Sequence, residues 1–190
     1  MLTRPIKELP KILIYKCPKT TNKINWQYKN VEPFEYRMVD TATGQYVGKM
    51  IGGPVLHKNS KRHIFYPINS PYKSFYISYL NIEERFMGYG KEFIRFARNL
   101  SKQSGCNGRV HLVASRVYDR YWPPHIFYKK CGFVSNDSFM NNYLNDCIKS
   151  NAQIELAIAD NLNMYLPVGD MPEKIQTKFQ AFLNFLKRFI

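Results

Sequence analysis

The sequence predicts a mixed α/β (α+β) domain built around a central sheet, and three observations favour this fold class. A strand-like run at residues 74–80 leads into an Arg-x-x-Gly-x-Gly segment at residues 85–90, and a helical pattern begins directly after it. Alternating apolar runs at residues 34–39 and 45–51 flank a turn sequence that ends in Gly44, which is typical of a β-hairpin. Strand and helix patterns then alternate through the middle of the chain, which predicts a sheet flanked by helices.

The composition is that of a single globular domain. The chain has 190 residues, of which 45% are hydrophobic and 15% aromatic, and this is enough to bury one core. No apolar run is long enough to span a bilayer, and the N-terminus lacks the apolar stretch of a secretory signal. We therefore expect a cytoplasmic protein, with a membrane as the least favoured of its partners.

The charge and the cysteine pattern bear on partners and cofactors. Lys and Arg number 28 against 14 Asp and Glu, which gives a formal charge of +14. Such a surplus favours anionic partners, and nucleotide cofactors, RNA, DNA, acidic lipid and acidic proteins all qualify. A solvated basic surface without a dedicated partner is the alternative.

The four cysteines match neither a C-x-x-C nor a zinc pattern, so we expect buried thiols and no metal site.

The first half of the chain predicts strands joined by turns. Residues 11–15 form an apolar run that predicts a short buried strand, and the hairpin follows at residues 34–51. A Gly-Gly-Pro sequence at residues 52–54 is expected to end the second strand of that hairpin. Residues 57–73 form a basic loop with prolines and interleaved aromatics, and a strand at residues 74–82 comes next.

The second half of the chain predicts alternating helices and strands. The first helix carries apolar residues at i, i+3, i+4 and i+7 starting from Phe93. That helix is predicted to end at Gly105, and a strand at residues 109–115 follows it. A helix at residues 124–131 comes next and is predicted to end at Gly132. The remaining predicted elements are a helix capped by Asp137 or Ser138, a strand at residues 162–168 and an amphipathic helix at residues 172–190.

The segment between the fourth strand and the first helix is suited to binding a phosphate group. Gly88 and Gly90 allow the backbone to adopt positive φ and to approach a ligand closely. The N–H groups of the first helical turn have no partner within the helix, so they face an anion whose charge the helix dipole favours. A strand, a glycine loop and a helix start in this order therefore predict a pyrophosphate site.

Two motifs lie in sequence on either side of one predicted helix and one predicted strand. They are Leu-x-Ile-x-x-Arg-x-x-Gly-x-Gly at residues 80–90 and Phe-Tyr-Lys-Lys-Cys-Gly-Phe at residues 127–133. The first resembles the acyl-CoA-binding motif of the GNAT family of N-acyltransferases. The second resembles the F-Y-x-x-x-G-F motif of the same family, and the order of the two motifs is also the family's order. The resemblance covers residues 34–133.

The resemblance implies a GNAT-like acetyltransferase that uses acetyl-CoA as its acyl donor and needs no metal. In that fold a mixed, mostly antiparallel sheet is flanked by helices, and a β-bulge on the fourth strand, here near residues 80–82, splays two strands so that the pantetheine can enter. The strand backbone would bind the pantetheine amides, and the backbone of residues 86–91 would hold the pyrophosphate. The cofactor-binding residues implied in this way are Leu80, Ile82, Arg85, Phe86, Met87, Gly88, Tyr89, Gly90 and Lys91.

The chemistry that the resemblance implies is direct attack of a neutral amine on the thioester in a ternary complex. Tyr128 occupies the position of a family tyrosine that gives a proton to the departing thiolate, and a packed aromatic residue is the alternative. Glu83 is the first candidate for the base, acting directly or through water, with a solvated carboxylate as the alternative. His111 is expected to be a core or sheet-face histidine, whereas His125 could approach the acceptor from the start of its helix.

The chain departs from the family pattern on the acceptor side. Residues 17–33 are too short for the two helices that the family usually places before its second strand, so we expect a reduced N-terminal helical region. Residues 118–125 replace an Asn and an Ala that often precede the second motif, and a helix near residues 138–150 is unusual. The acceptor is therefore left open among a protein amine, a small amine and an aminoacyl-tRNA, which some toxins of the family modify.

Other functions and the domain organisation complete the expectations. A catalytically silent module that binds CoA, nucleic acid or protein on the same fold is the alternative function. The basic loop at residues 57–73 could contact RNA, with a solvated loop as the ordinary alternative.

We expect residues 1–171 to form one GNAT-like domain. The helix at residues 172–190 is expected to pack on that domain or at a homodimer interface, with an anionic membrane as the third alternative.

Overall fold

The structure is a computed structural model that describes residues 12–17, 33–58, 71–83, 87–115, 123–152 and 161–168. In chain order the elements are β1 (Ile12–Lys16), β2 (Phe34–Asp40), β3 (Tyr46–His57), β4 (Tyr72–Ile82), α1 (Tyr89–Gln103), β5 (Val110–Ser115), α2 (Pro124–Lys130), β6 (Val134–Ser135), α3 (Ser138–Ser150) and β7 (Asn161–Tyr165). This order confirms the predicted succession of strand, hairpin, strand, helix, strand and helix. The predicted C-terminal helix lies outside the described residues, as does most of the predicted basic loop, so the division at residue 171 stays a prediction.

The strands form one seven-stranded sheet in the order β1-β2-β3-β4-β5-β7-β6. β4 and β5 are parallel, and the other neighbouring strands are antiparallel. A parallel pair requires a crossover connection, and α1 provides it between the end of β4 and the start of β5. The predicted central sheet, mixed and mostly antiparallel, is therefore confirmed.

The main hydrophobic core lies between one face of the sheet and the helices α1 and α2. Phe93 and Ala97 of α1 are fully buried. The ring of Phe96 meets the ring of Tyr36 on β2 edge-on, with the centroids 5.3 Å apart. Tyr128 of α2 belongs to the same cluster of buried side chains. Burial of each large apolar side chain contributes ~1.5–3 kcal/mol, so this face holds both helices on the sheet.

The two faces of β4 and β5 carry different kinds of side chain. Phe75 and Leu112 point into the apolar core on the helix face. Because successive side chains of a strand point to opposite faces, Ser74, Tyr76 and His111 project from the face away from α1. These three residues are buried as well. The sheet therefore has an apolar side and a second buried side that is polar and aromatic.

Local boundary signals are confirmed at several helix ends. Gly105 follows α1 with φ 71°, and Gly132 follows α2 with φ 92°. Of the two residues proposed to cap α3, Asp137 is the cap, because its carboxylate accepts a hydrogen bond of 3.2 Å from the N–H of Met140. These signals depend on residues close together in sequence, and the structure matches them closely.

The predicted end of β3 at residues 52–54 is wrong, because the strand continues to His57. β2 begins at Phe34, opposite Gly52, so beyond Gly52 β3 pairs only with β4 among the described residues. A proline is tolerated where one side of a strand has no ladder partner, since its missing N–H then costs no hydrogen bond. Pro54 stands opposite Phe75 in this one-sided stretch.

Two smaller predictions also need correction. β1 is an edge strand rather than a buried one, with Leu13 55% and Tyr15 41% exposed. The short strand β6, which pairs with β7, is absent from the predictions because its two residues carry no periodicity. No helix among the described residues is long and apolar enough to cross a membrane.

Candidate active site between strands β4 and β5

The sheet opens between β4 and β5. Phe75, Tyr76 and Ile77 pair in parallel with the first residues of β5, and the last of these pairs joins Ile77 to Leu112. Beyond it, β4 continues to Ile82 along β3 and β5 continues to Ser115 along β7. The ladder between the two strands has no pair beyond this one among the described residues, so their facing edges diverge into a gap. Such an edge can pair with an extended ligand.

A β-bulge stands where the gap begins. The pairing of β3 with β4 passes from Ile51–Tyr79 to Gly52–Ile77, which leaves Ser78 as an extra residue on β4. The hydroxyl of Ser78 donates a hydrogen bond of 3.2 Å to the carbonyl of Ile51. A bulge bends its strand and increases the local twist, so it accounts for the departure of β4 from β5.

The predicted bulge at residues 80–82 is wrong in position, because Leu80 and Ile82 pair with β3 in regular register. The reason lies across the ladder at Gly52. A Cβ on Gly52 would stand 2.6 Å from the carbonyl oxygen of Tyr76 and 2.7 Å from Cε1 of Phe75. Only glycine lets the bulged segment of β4 approach so closely. Leu80 and Ile82 still lie along the gap, downstream of the bulge.

The glycine loop connects the end of β4, one wall of this gap, to the start of α1. Gly88 precedes α1 with φ 88° and ψ −7°, a left-handed conformation that glycine adopts without strain. No side chain among the described residues caps the helix. The helix N-terminus therefore presents its first-turn backbone to whatever lies in front of it. The predicted ligands Arg85 and Phe86 lie outside the described residues, and Met87 is exposed.

The position of the glycine loop is tied to the β2–β3 turn. The hydroxyl of Tyr89 donates a hydrogen bond of 3.0 Å to Oδ2 of Asp40. Oδ1 of the same carboxylate accepts from the N–H groups of Ala42 at 2.8 Å and Thr43 at 3.3 Å. The bond from Ala42 and that from Tyr89 lower the pKa of Asp40. The Asp40 carboxylate thus links Tyr89, the first residue of α1, to the turn between β2 and β3.

The two sequence motifs meet in space at Gly90 and Phe127. A Cβ on Gly90 would lie 2.7 Å from Cζ of the Phe127 ring and 2.9 Å from Cε2. Because glycine has no side chain, the Phe127 ring in the middle of α2 packs directly against the first turn of α1. The structure therefore brings the predicted donor motif and the second motif into contact.

Tyr128 lies inside the core next to this contact. Its ring centroid is 5.2 Å from that of Phe127 and 5.6 Å from that of Phe133. α2 packs against β5, which is the far wall of the gap. Burial raises the pKa of the Tyr128 hydroxyl well above its ordinary value. The phenol therefore stays protonated at neutral pH and can act as a proton donor.

A basic cleft lies between α1 and α2, beside the helix N-terminus. Its lining residues are Lys91, Ile94, Arg95, Lys130 and Cys131. The Arg95 guanidinium also pairs with Glu92 on the same helix. Burial raises the pKa of Cys131 to about 11, against the opposing effect of Lys91. The thiol is therefore neutral, and three cations against one carboxylate leave the cleft suited to an anion.

Glu83 is separated from Tyr128. It follows the end of β4 and is exposed, and its Oε1 accepts a hydrogen bond of 2.8 Å from the side-chain amide of Asn81. Leu80 and Ile82 pack on the helix-side core, so Asn81 and Glu83 lie on the opposite face. The structure thus places the two predicted catalytic side chains on opposite faces of the sheet, and both roles stay predictions.

Three buried polar residues near the start of the gap escaped the sequence analysis as a group. Nε2 of His57 lies 2.7 Å from Oγ of Ser74, and the same Oγ lies 2.9 Å from Nδ1 of His111. The sequence marked His111 only as a core or sheet-face histidine. No sequence signal connects these residues, because they stand on three different strands. His125, at the start of α2, is also buried.

The chain matches no protein-family model, and no curated protein is similar to it in sequence. Solved structures do resemble it. A bacterial toxin is 12% identical, with 88% of this chain and 97% of that chain covered and a TM-score of 0.47. NAA60 of Arabidopsis thaliana, in complex with a bisubstrate analogue, is 18% identical, with 72% and 74% covered and a TM-score of 0.44.

An acetyltransferase of the GNAT family from Listeria monocytogenes is 14% identical, with 70% of this chain and 64% of that chain covered and a TM-score of 0.38. The structures that resemble this chain thus include GNAT-family acetyltransferases, the family that its two motifs resemble.

Proposed function

We propose that this protein is an acyl-CoA-dependent N-acetyltransferase that moves the acetyl group of acetyl-CoA to a primary amine by direct attack in a ternary complex. The observation that carries the proposal is the separation of β4 from β5 directly after Ile77, at the Ser78 bulge. This gap leads to a helix N-terminus behind a glycine in left-handed conformation. An extended chain that ends in a pyrophosphate, as pantetheine does in coenzyme A, matches both features.

In the proposed complex the donor lies along the open edge of β4. The backbone of Leu80 and Ile82 would bind the pantetheine amides, in the manner of an added strand. The backbone from Phe86 to Lys91 would hold the pyrophosphate, and the ammonium of Lys91 would add charge. The basic cleft beside Lys91 would receive the 3′-phosphate of the nucleotide, because Lys130 and Arg95 extend the positive surface away from the helix end.

The proposed chemistry forms a C–N bond and breaks a C–S bond. The neutral amine attacks the thioester carbon, the tetrahedral intermediate collapses, and CoA leaves as a thiolate that takes up a proton. Tyr128 would supply that proton from the helix side of the gap. The phenol is protonated at neutral pH, so its proton is available to a thiolate that lies within hydrogen-bond distance of it.

A base must also accept a proton from the amine, since an ammonium ion has no lone pair for the attack. The sequence-based proposal is Glu83, acting through water. Its exposure and its position on the face away from Tyr128 are compatible with an acceptor that enters from that face. The proposal leaves the acceptor class open among a protein amine, a small amine and an aminoacyl-tRNA. It also leaves open whether the protein forms a homodimer.

The test is acetyl transfer by the full chain. The protein is incubated with acetyl-CoA and a panel containing lysine peptides, small primary amines and aminoacyl-tRNA, while thiol release is followed and products are identified by mass. We expect thiol release that depends on one class of amine, together with a product heavier by one acetyl group. CoA binding without transfer to any member of the panel would instead favour a silent binding module. Failure to bind CoA would overturn the proposal.

A further inference from the structure

The β2–β3 hairpin is bonded to both elements that the glycine loop connects. Its contacts come from residues 40–48, which we call the hairpin tip. On the strand side, the N–H of Glu83 donates a hydrogen bond of 2.9 Å to the carbonyl of Val47. On the helix side, the hydroxyl of Tyr89 donates a hydrogen bond of 3.0 Å to Oδ2 of Asp40. The end of β4 and the start of α1 are therefore fixed to the same hairpin tip.

The strand-side contact depends on a close approach of β3 and β4. A Cβ on Gly48 would fall against the carbonyl oxygen of Asn81 and would lie 3.1 Å from Cα of Ile82. Both are backbone atoms of the ladder and cannot swing aside as a side-chain tip can. Because Gly48 has no Cβ, the N–H of Glu83, which follows Ile82, reaches Val47.

The helix-side contact ends on a carboxylate that the turn holds in place. The N–H of Asp40 donates 2.9 Å to the carbonyl of Gln45, and its own carbonyl accepts 2.8 Å from the N–H of Gly44. Oδ1 accepts from the N–H groups of Ala42 and Thr43. The backbone and one carboxylate oxygen are thus bonded within the turn, so Oδ2 is a fixed acceptor.

Tyr89 carries this contact to the N-terminus of α1. It follows Gly88 directly, it is only 4% exposed, and its ring belongs to the main core. The first hydrogen bonds within α1 run from the N–H groups of Lys91 and Glu92 to the carbonyl of Gly88, at 3.0 and 3.4 Å. Gly90 therefore lies ahead of the first donor within the helix. With its ring in the core and its hydroxyl on the hairpin tip, Tyr89 fixes the direction in which this turn presents its backbone.

We propose that Asp40 and Tyr89 are positioning residues for the acyl donor, because their contact holds the first turn of α1 in the orientation that binds the pyrophosphate of acetyl-CoA. This inference rests on the proposed function and deepens it. The Tyr89 ring is buried below the turn, and the Asp40 carboxylate is bonded within the hairpin tip. Neither side chain is needed at the thioester, so the contact controls the affinity for the donor and not the chemical step.

The charge of Asp40 by itself predicts the opposite effect. A carboxylate bonded to the first residue of α1 repels an anion at that helix end, so its removal would strengthen donor binding if charge alone mattered. Positioning predicts weaker binding, because the Tyr89 hydroxyl loses its acceptor. The direction of the change in affinity therefore separates the two effects.

Two variants break the contact from either side. Tyr89→Phe removes the hydroxyl and keeps the buried ring. Asp40→Ser keeps an oxygen for the N–H groups of the turn, but its side chain is one atom too short to bond Tyr89 as well. Thr43→Ala is the matched control, because it removes a hydroxyl that accepts 3.2 Å from the N–H of Gln45 within the same turn.

The affinity for CoA is measured by calorimetry. We expect the Kd to rise about fivefold to tenfold in Tyr89→Phe and in Asp40→Ser, and to change less than about twofold in Thr43→Ala. The double variant should bind CoA no more weakly than either single variant, since one contact can be lost only once. Asp40→Asn, whose amide can donate to the tyrosine hydroxyl, should recover part of the affinity.

Steady-state kinetics with two donors supply the second readout. With acetyl-CoA, KM should rise in Tyr89→Phe and Asp40→Ser while kcat changes less than about twofold. S-acetylpantetheine lacks the pyrophosphate, so its kcat/KM should be the same in the wild type and in both variants. A contact that only stabilised the fold would affect both donors alike.

The outcomes separate this inference from the proposed function. A wild type that does not bind CoA overturns the proposed function and this inference with it. A wild type that binds CoA, with variants of unchanged or lower Kd, leaves the proposed function standing and overturns the positioning role. Equal losses with S-acetylpantetheine, or additive losses in the double variant, also overturn it. If Asp40→Ser fails to fold, Tyr89→Phe, which leaves the turn intact, decides alone.

Discussion

Gly90 at the start of α1 and Phe127 in the middle of α2 are in such close contact that any side chain at Gly90 would meet the Phe127 ring. The ring carbon Cζ lies 2.7 Å from the position of a Cβ. The contact joins the glycine loop to the helix that carries Tyr128, so a substitution in one motif should shift the position of the other.

Gly90→Ala should weaken the binding of acetyl-CoA. The added methyl group forces the Phe127 ring aside, which costs ~1–3 kcal/mol where a core is well packed and displaces the first turn of α1. We expect the Kd for CoA, measured by calorimetry, to rise by roughly tenfold, together with a lower Tm. The double variant Gly90→Ala, Phe127→Leu makes room for the methyl group and should recover part of the loss. An unchanged Kd in the single variant would separate this contact from the donor site.

Gly52→Ala should damage the gap itself. The new methyl group would face the carbonyl of Tyr76 at 2.6 Å, and a backbone atom in a ladder cannot move aside as a side-chain tip can. We expect a loss of ~1–3 kcal/mol in the free energy of unfolding and a raised KM for acetyl-CoA. Leu56→Ala, on an exposed position of the same strand, is the matched control and should leave the KM unchanged. A Gly52→Ala protein with normal KM would show that the bulge does not shape the donor site.

Tyr128→Phe should lower turnover without loss of donor affinity. The substitution keeps the ring and its packing but removes the proton that the leaving thiolate would receive. We expect kcat to fall by about 100-fold, at the lower end of what general acid catalysis contributes, while the Kd for CoA changes less than about twofold. Steady-state kinetics with calorimetry in parallel measure both quantities. Unchanged kcat would remove Tyr128 from the mechanism and leave it as a packed aromatic residue.

Lys130→Ala tests the basic cleft between α1 and α2. If Lys130 contacts the 3′-phosphate of the donor, its loss should raise the KM for acetyl-CoA about threefold to tenfold, equivalent to ~1 kcal/mol. With acetyl-3′-dephospho-CoA as donor, wild type and variant should have similar KM values. Arg98→Ala removes an exposed cation of α1 outside the cleft lining and is the control. An equal effect of Lys130→Ala on both donors would place the contact elsewhere on the nucleotide.

Burial of tyrosine should make the fold sensitive to alkaline pH. The pKa of Tyr128 is raised by burial, and burial also raises the pKa values of Tyr36, Tyr76 and Tyr165. A group whose pKa is higher in the folded state stabilises the fold fully below its unfolded pKa, ~10 for tyrosine, and this stability is lost as the pH rises from there.

Urea unfolding between about pH 8 and about pH 11 measures this loss. We expect the free energy of unfolding to fall across this range in the wild type and to fall less steeply in Tyr128→Phe. Tyr79→Phe, at an exposed position, should follow the wild-type curve. Parallel curves for wild type and Tyr128→Phe would mean that the Tyr128 hydroxyl is better solvated than its burial indicates.

The amino-acid sequence by itself determined the features that depend on near neighbours. The hairpin turn before Tyr46, the glycine loop at Gly88, the cap at Asp137 and the helix end at Gly132 are all where local residue chemistry predicts them. Turn and cap preferences arise from φ values and hydrogen bonds within a few residues, so a contiguous stretch carries the whole signal. The periodicity of α1 and the alternation of β5 are of the same kind.

Only the tertiary structure decided the features that join distant residues. The bulge falls at Ser78 because Gly52, 26 positions earlier, lets β4 approach. β3 passes through Pro54 because the pairing with β2 stops at Gly52, opposite the first residue of β2, and Ser74 joins two histidines because three strands meet in one register. Pairing register and close approach depend on atoms brought together by folding, and no local preference encodes them. The glycine loop could therefore be predicted from the sequence, whereas the geometry of the gap between β4 and β5 could not.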